Sequence, residues 1–188
     1  MAFIAHAAQD PNHLDGRPIK FPPKFFLGAA ASPFASDPKF QALREQKKVN
    51  AGAQFFQTNL VYDPDRMEIW LNEIAKRGIL DKVYIMIGLT PLKSAKMTHY
   101  MTQVPGVYVP DAIIKRMDDA QEKGGPQGAQ EEGVRITLEL IEKIKGKQGI
   151  HGLHIMPVGW EDVIPRIVTE ADLLPKGFVK PELEKVPA

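Results

Sequence analysis

The chain has 188 residues, 24 Lys and Arg against 23 Asp and Glu (net charge +1), 44% apolar residues, 16 Pro, 15 Gly and no Cys. Its length fits one domain with a sizeable core. Without Cys there is no disulfide framework, thiolate metal site or Cys nucleophile, and a charge near zero gives no electrostatic footprint for nucleic acid.

Met1 to Asp10 lack the basic flank and long apolar core of a secretory signal. No run approaches the roughly 20 apolar residues of a membrane span. The expected location is cytoplasmic. Residues 1–23 are rich in Pro, Asn, Asp and Gly without a period, so an irregular N-terminal segment is expected there.

Lys24 to Ala31 reads as a buried strand, with Phe25, Phe26 and Leu27 followed by Gly28 and three alanines. Such small residues let a backbone or ligand approach closely. Asp37-Pro38 opens a helix that runs to about Ala51 and ends at Gly52. The cycle repeats with a strand over Phe55–Val61 and a helix from Asp63-Pro64 to Gly78, its apolar stripe being Met67, Trp70, Leu71 and Ile74. A third strand covers Val83–Leu89, Thr90-Pro91 ends it, and a short helix spans about Ser94–Met101.

Val104–Pro110 reads as a loop and Asp111–Met117 as a helix. The polar, glycine-rich stretch Gln121–Gln130 is expected to be a surface loop. A long helix is predicted over about Ala129–Lys145, a fourth strand over Leu153–Val158 and a last helix over Trp160–Thr169. Residues 175–188 read as a loose C-terminal tail.

Strands that are apolar throughout and alternate with helices imply an α/β fold with a parallel sheet covered on both faces. Both a small open sheet and part of a (β/α)8 barrel fit this pattern. In either, ligands meet the carboxyl ends of the strands: Ala30 to Pro33, Asn59 to Asp63, Thr90 to Ser94 and Met156 to Glu161. No P-loop, G-x-G-x-x-G, G-x-S-x-G or H-E-x-x-H is present.

These strand ends carry a resemblance. Phe25-Phe26-Leu27-Gly28-Ala29-Ala30-Ala31-Ser32-Pro33-Phe34 resembles the fifth strand of methylenetetrahydrofolate reductases. Lys47-Lys48-Val49-Asn50-Ala51-Gly52-Ala53-Gln54-Phe55-Phe56-Gln57-Thr58-Asn59 resembles their helix-to-sixth-strand signature, K-K-V-x-A-G-A-x-F-x-x-T-Q. Gly88 to Ser94 is similar to the turn after their seventh strand, Val107 to Pro110 to the following loop, and His151 to Pro157 to the eighth strand. The motifs occur in family order from about His13 to Lys176, closest to the short anaerobe-type members.

The resemblance implies a TIM (β/α)8 architecture of which residues 24–174 would form the four C-terminal βα units, a half barrel. It implies a flavin-dependent reductase, with FAD as cofactor, converting methylenetetrahydrofolate to methyltetrahydrofolate. The family's catalytic Glu lies on the first strand and has no counterpart here, so no catalytic residue is assigned in this chain. The implied partners are an N-terminal half-barrel chain or a second copy, and an electron-donor subunit. The alternative is a non-catalytic half-barrel subunit or truncated fragment that completes a reductase or a folate- or corrinoid-linked methyltransfer complex.

Residue by residue, Lys48 matches a family lysine near the flavin phosphates, and Arg44 and Lys47 lie on the same helix. Gln41 stands where relatives carry a flavin-contacting Asp, and Ala31 and Ser32 match positions lining the flavin's adenosine side. These six are the candidate cofactor residues; a solvated basic helix face and a strand-ending Ser are the structural alternatives. Asn59 occupies the place of a Gln that contacts the pterin, keeping the amide but one methylene shorter. Tyr62 lies beside it, and Thr90, Leu92 and Lys93 form the loop that holds substrate in relatives. Asp63 reads as an N-cap. Trp160 replaces the Arg of NADH-using relatives. His151 and His154, three apart on or near a strand, are expected to face opposite ways, and no metal site is assigned.

Overall fold

The computed structural model describes residues 12, 15–21 and 24–174. It contains a four-stranded parallel sheet, β1 (Gly28–Ala31), β2 (Phe55–Leu60), β3 (Tyr84–Leu89) and β4 (Gly152–Ile155), in spatial order 1-2-3-4. Sequential order joined by right-handed crossovers places every connecting helix on one face of a sheet. Those helices are α1 (Pro38–Asn50), α2 (Pro64–Ala75), α3 (Ala95–Met101), α4 (Asp111–Ile144) and, after β4, a 3-10 turn (Glu161–Val163) and α5 (Ile164–Glu170).

The capping chemistry acts where the residues place it. The Asp37 carboxylate accepts the backbone N–H of Lys39 (3.0 Å) and Phe40 (3.2 Å), and Asp63 accepts that of Arg66 (2.9 Å). Each is followed by a proline, which has no N–H to leave unpaired in the first turn. At the far end of α1, Gly52 (φ 98°) closes a Schellman turn: Gly52 N–H donates to Val49 C=O and Ala53 N–H to Lys48 C=O.

The core lies between sheet and helices. Phe56, Ile85, Ile87 and Leu89 from the strands meet Met67, Trp70 and Ile74 of α2 and Val134, Ile141 and Ile144 of α4, all fully or almost fully buried. Each such side chain contributes about 1.5–3 kcal/mol on burial. The opposite face behaves differently. Ala30, Gln57 and Tyr84 are exposed, and Phe26, just before β1, is 60% exposed. The strands are therefore covered on one face only among the described residues, against the expectation of cover on both. Their buried-exposed alternation, clearest in β1, follows from the pleat.

Several boundaries shift. β1 begins at Gly28 rather than Lys24: Leu27 N–H is taken by the Gln54 side chain (3.0 Å), and Phe25 and Phe26 lie out in solvent. β4 ends at Ile155, before Pro157, which has no N–H for the ladder. The last helix is a 3-10 turn followed by α5, with Pro165 in its first turn.

The largest departure is in α4. The expected loop over Gln121–Gln130 is instead helical up to and beyond a single break at Gly125 (φ 59°, ψ −153°). Glycine alone adopts that backbone cheaply, and Pro126 then starts a second arm where its missing N–H costs nothing. The arms fold back on each other. Arg116 binds Glu132 (2.6 Å) and Glu139 (2.6 Å); in a straight helix Arg116 and Glu132 would stand about 24 Å apart. Polar composition suggested a loop because the hairpin's outer surfaces are solvated, not because the backbone is irregular. The N-terminal segment lies partly, and the C-terminal tail wholly, outside the described residues.

Candidate active-site rim

The carboxyl ends of parallel strands leave a rim where loops meet. At the end of β1, Gln41, Glu45 and Lys48 of α1 pack over the strand terminus. Lys48 Nζ donates to the Ala30 carbonyl (2.6 Å) and to Glu45 Oε2 (2.7 Å). Glu45 is fully buried, and its Oε1 has no hydrogen-bond partner. Burial pushes the Glu45 carboxyl above the usual carboxylate range, against the opposing hydrogen bond and charge of Lys48. Gln41 is buried, its Nε2 donating to Ser36 Oγ (2.7 Å). Ser32 is half-buried at the strand exit, and Ala31 points into the helix layer, 1% exposed. Arg44 and Lys47 are exposed.

At the end of β2 the ladder slips by one residue: Gln57 pairs with Met86, but Leu60 pairs with Gly88. This bulge is held by Thr58, whose Oγ1 accepts Gly88 N–H (2.8 Å) and donates to the Asn59 carbonyl (2.8 Å). Gly88 is required there, because a Cβ would press on the carbonyl oxygens of Thr58 and Asn59. A bulge re-aims the side chain it carries. Asn59 Nδ2 donates to the Pro105 carbonyl (3.1 Å), tying the strand end to the loop before α4.

That loop is also held from above. The Arg66 guanidinium lies 4.4 Å from the Tyr108 ring and 5.7 Å from that of Phe34. Phe34 and Tyr108 themselves meet edge to face at 6.4 Å. One cation thus gathers the β1 exit loop and the loop before α4, the loop to which Asn59 is tied through Pro105.

At the end of β3, Tyr62 is buried and donates its hydroxyl to the Thr90 carbonyl (3.0 Å). Burial raises the phenol well above its ordinary value, so it stays a donor. Leu92 is fully buried and Thr90 nearly so, with Thr90 Oγ1 unpartnered. Lys93 reaches across to the Gly159 carbonyl (2.8 Å). The loop rests directly on α4 at Gly133, where a Cβ would fall on the Leu92 carbonyl.

His154 pairs with Gly88 in the ladder, while His151 Nδ1 accepts Ile85 N–H (3.2 Å) at the other end of the strand. Trp160 is buried at 8% exposure. Among the described residues no group of three His, Asp or Glu side chains gathers around one point, and no helix is long and apolar enough to cross a membrane.

The rim therefore brings Lys48, Ser32 and Asn59 toward one end of the sheet, with Lys93 across it, and turns Tyr62 and Leu92 inward as support. Glu45 and Gln57 were not singled out from the sequence. Glu45 is legible only as the residue three before Lys48. Gln57, exposed on the uncovered face, is legible only once the strand phase is known. A cavity of about 460 Å³ lies elsewhere, along the outer edge of β4 between Ile144, Leu153, Ile155, Val168 and Leu173.

Comparisons with known proteins converge on one family. The fold is similar to a solved structure of an uncharacterized protein from Clostridium thermocellum that binds two copies of 5-methyl-5,6,7,8-tetrahydrofolic acid. The TM-score is 0.57 at 22% identity, over 80% of this chain and 54% of that one. That likeness supports an α/β fold with a sheet consistent with part of a TIM-type barrel. The chain is 28% identical over 142 residues to methylenetetrahydrofolate reductase 2 of Schizosaccharomyces pombe, covering 73% of this chain and 22% of that protein. It is 26% identical over 143 residues to methylenetetrahydrofolate reductase (NADH) 1 of Zea mays, covering 76% of this chain and 23% of that protein. The chain thus spans about a quarter of the length of these relatives, which are oxidoreductases. The family model described as methylenetetrahydrofolate reductase matches residues 19–172, and the chain belongs to the methylenetetrahydrofolate reductase family.

Proposed function

We propose that this chain forms the C-terminal half of the barrel of a flavin-dependent methylenetetrahydrofolate reductase. The observation that carries this reading is the rim itself. A cation, an amide and a lysine-bearing loop sit at the carboxyl ends of adjacent strands, beside a sheet face that its own helices leave uncovered.

The residues fit the anionic part of FAD. Lys48 has spent two of its three N–H donors on Ala30 and Glu45, which leaves one for a phosphate oxygen. Arg44 and Lys47 add exposed positive charge along the same helix. The small, exposed Ala30 near the carboxyl end of β1 leaves room for a flat group against the sheet, whereas the space over Gly28 at the other end is filled by the Phe55 ring. When bound, FAD supplies the hydride that turns the methylene carbon into a methyl group.

The remaining work falls to the chain's residues. Asn59 offers an amide donor and acceptor to the pterin edge, held in place by the β2 bulge and the Pro105 carbonyl. Lys93 orients the folate along the β3 exit by meeting the glutamate tail, while the buried Thr90 holds the loop by accepting the Tyr62 hydroxyl at its carbonyl. Tyr62 and Leu92 support that loop from below, and Ser32 borders the adenosine side. The proton donor comes from the remaining βα units, in the same polypeptide or another subunit. Trp160 stands where NADH-using relatives carry an Arg, and its buried ring packs at the start of the last helix, which weakens the case for direct reduction by NADH.

A second reading is a non-catalytic subunit that completes a reductase or a folate- or corrinoid-linked methyltransfer complex. Among the described residues one sheet face is uncovered and β1 and β4 pair with no further strand, which favours association with an N-terminal half-barrel chain or a second copy. The test is the visible spectrum of the purified chain with released flavin quantified, followed by titration with 5-methyltetrahydrofolate. Stoichiometric FAD with folate binding supports the first reading. A colourless protein that acquires flavin only with a co-purified partner supports the second, and no flavin or folate binding in any assembly refutes both.

A further inference from the structure

The buried carboxylate beside Lys48 is unusual. An acid placed in the interior without full hydrogen bonding is costly, yet Glu45 is fully buried with one oxygen unpartnered. Its other oxygen holds Lys48, whose side chain is 25% exposed and whose ammonium also rests on the Ala30 carbonyl. The other groups that act on Glu45 are the Ser32 backbone N–H at the β1 exit and the charge of Arg44 one residue before it.

We propose that Glu45 is a positioning residue for Lys48: it pins the ammonium at the carboxyl end of β1 and sets how strongly that end holds an anion. Two effects oppose each other. The hydrogen bond fixes Lys48 where an incoming phosphate or sulfate oxygen meets it. The negative charge beside it cancels much of the attraction. A protonated Glu45 keeps the first effect and removes the second. The rim is therefore a tempered anion site, whose affinity rises when Glu45 takes up a proton. The position of Lys48 in the flavin reading rests on the proposed function above, but the Glu45–Lys48 coupling does not.

The test uses the full chain and inorganic sulfate, whose charge is constant between about pH 5 and about pH 8, a range in which histidine titrates and must be controlled for. Binding is measured by calorimetry for the unaltered chain, Glu45→Gln, Glu45→Leu and Lys48→Met. Glu45→Gln keeps an acceptor for Lys48 without the charge. It is expected to bind sulfate about tenfold tighter at neutral pH, with the pH dependence of the unaltered chain largely gone. Glu45→Leu frees Lys48 and is expected to fall short of that gain, and Lys48→Met to abolish binding.

Equal affinity and equal pH dependence in Glu45→Gln and the unaltered chain overturn the proposal, as does sulfate binding that survives Lys48→Met. If Glu45→Leu does not fold, the Glu45→Gln comparison still decides. Titration with FAD on the same samples separates the readings. Sulfate behaviour as expected without FAD binding rejects the flavin assignment alone.

Discussion

Replacing Gly133 with Ala tests how the β3 exit loop is seated. Gly133 is buried in the second arm of α4, and a Cβ there would stand 2.8 Å from the Leu92 carbonyl carbon and closer still to its oxygen. Both are backbone atoms, so no rotamer change relieves the contact. Helix propensity alone favours Ala over Gly by about 1 kcal/mol. Overpacking of this kind costs about 1–3 kcal/mol. The net is a destabilisation of up to about 2 kcal/mol, or a Tm lower by up to about 8 °C for a chain of this size. The loop that must shift carries Lys93, so under the proposed function folate affinity is expected to weaken with stability. Thermal unfolding followed by circular dichroism reads the first effect, and titration with 5-methyltetrahydrofolate the second. An increase in Tm would refute the reasoning, since it would mean that propensity outweighs the close approach.

Thr58→Val removes the acceptor for Gly88 N–H and the donor to the Asn59 carbonyl; it is expected to cost about 1–3 kcal/mol, and an unchanged denaturant midpoint would show that the bulge does not depend on Thr58. Arg116→Met leaves the nearly buried Glu132 with only the exposed Arg135; because Arg116 is itself 36% exposed, the expected loss is only about 1 kcal/mol, and urea unfolding that shows none would mean the hairpin is held by its apolar contacts. Glu45 gives stability a pH dependence of defined sign. Between the ordinary carboxylate value and the raised value of the folded chain, the folded state holds more protons than the unfolded one, so stability falls as pH rises through that window. The Tm advantage of Glu45→Gln over the unaltered chain is therefore expected to grow with pH there, and a constant difference would contradict a buried, proton-retaining Glu45.

The uncovered sheet face connects the fold to association. Phe26 stacks on Phe55 at 5.2 Å and tilts against Tyr84 at 6.1 Å, forming an aromatic row with Phe26 and Tyr84 more than half exposed. Such a row, beside edges of β1 and β4 that pair with no further strand among the described residues, favours contact with another sheet. Sedimentation of the purified chain is expected to show species larger than a monomer, and a strictly monomeric chain at high concentration would count against that role.

Local chemistry made much of this protein legible. Asp37-Pro38 and Asp63-Pro64 start helices because a short carboxylate caps free N–H groups and proline tolerates their absence; Gly52 ends one because only glycine enters the left-handed region without strain. The strand-helix alternation and the family motifs are likewise properties of short stretches, so the α/β class and the family were both readable from them. What the stretches do not contain is what each residue meets across the fold. The sequence offered Lys48 as a flavin-phosphate lysine or part of a solvated basic helix face, and only the packing of α1 over β1 gives it Glu45 and the Ala30 carbonyl. Tyr62 and Leu92 looked like lining residues, but the seat of the β3 exit loop on Gly133 buries Leu92, and Tyr62 is buried with its hydroxyl on the Thr90 carbonyl. Gln121–Gln130 looked like a loop because its sequence is polar, yet ion pairs between residues far apart in the chain hold two helical arms together around it. Strand phase, bulge and hairpin depend on contacts between distant residues, and those exist only once the chain has folded.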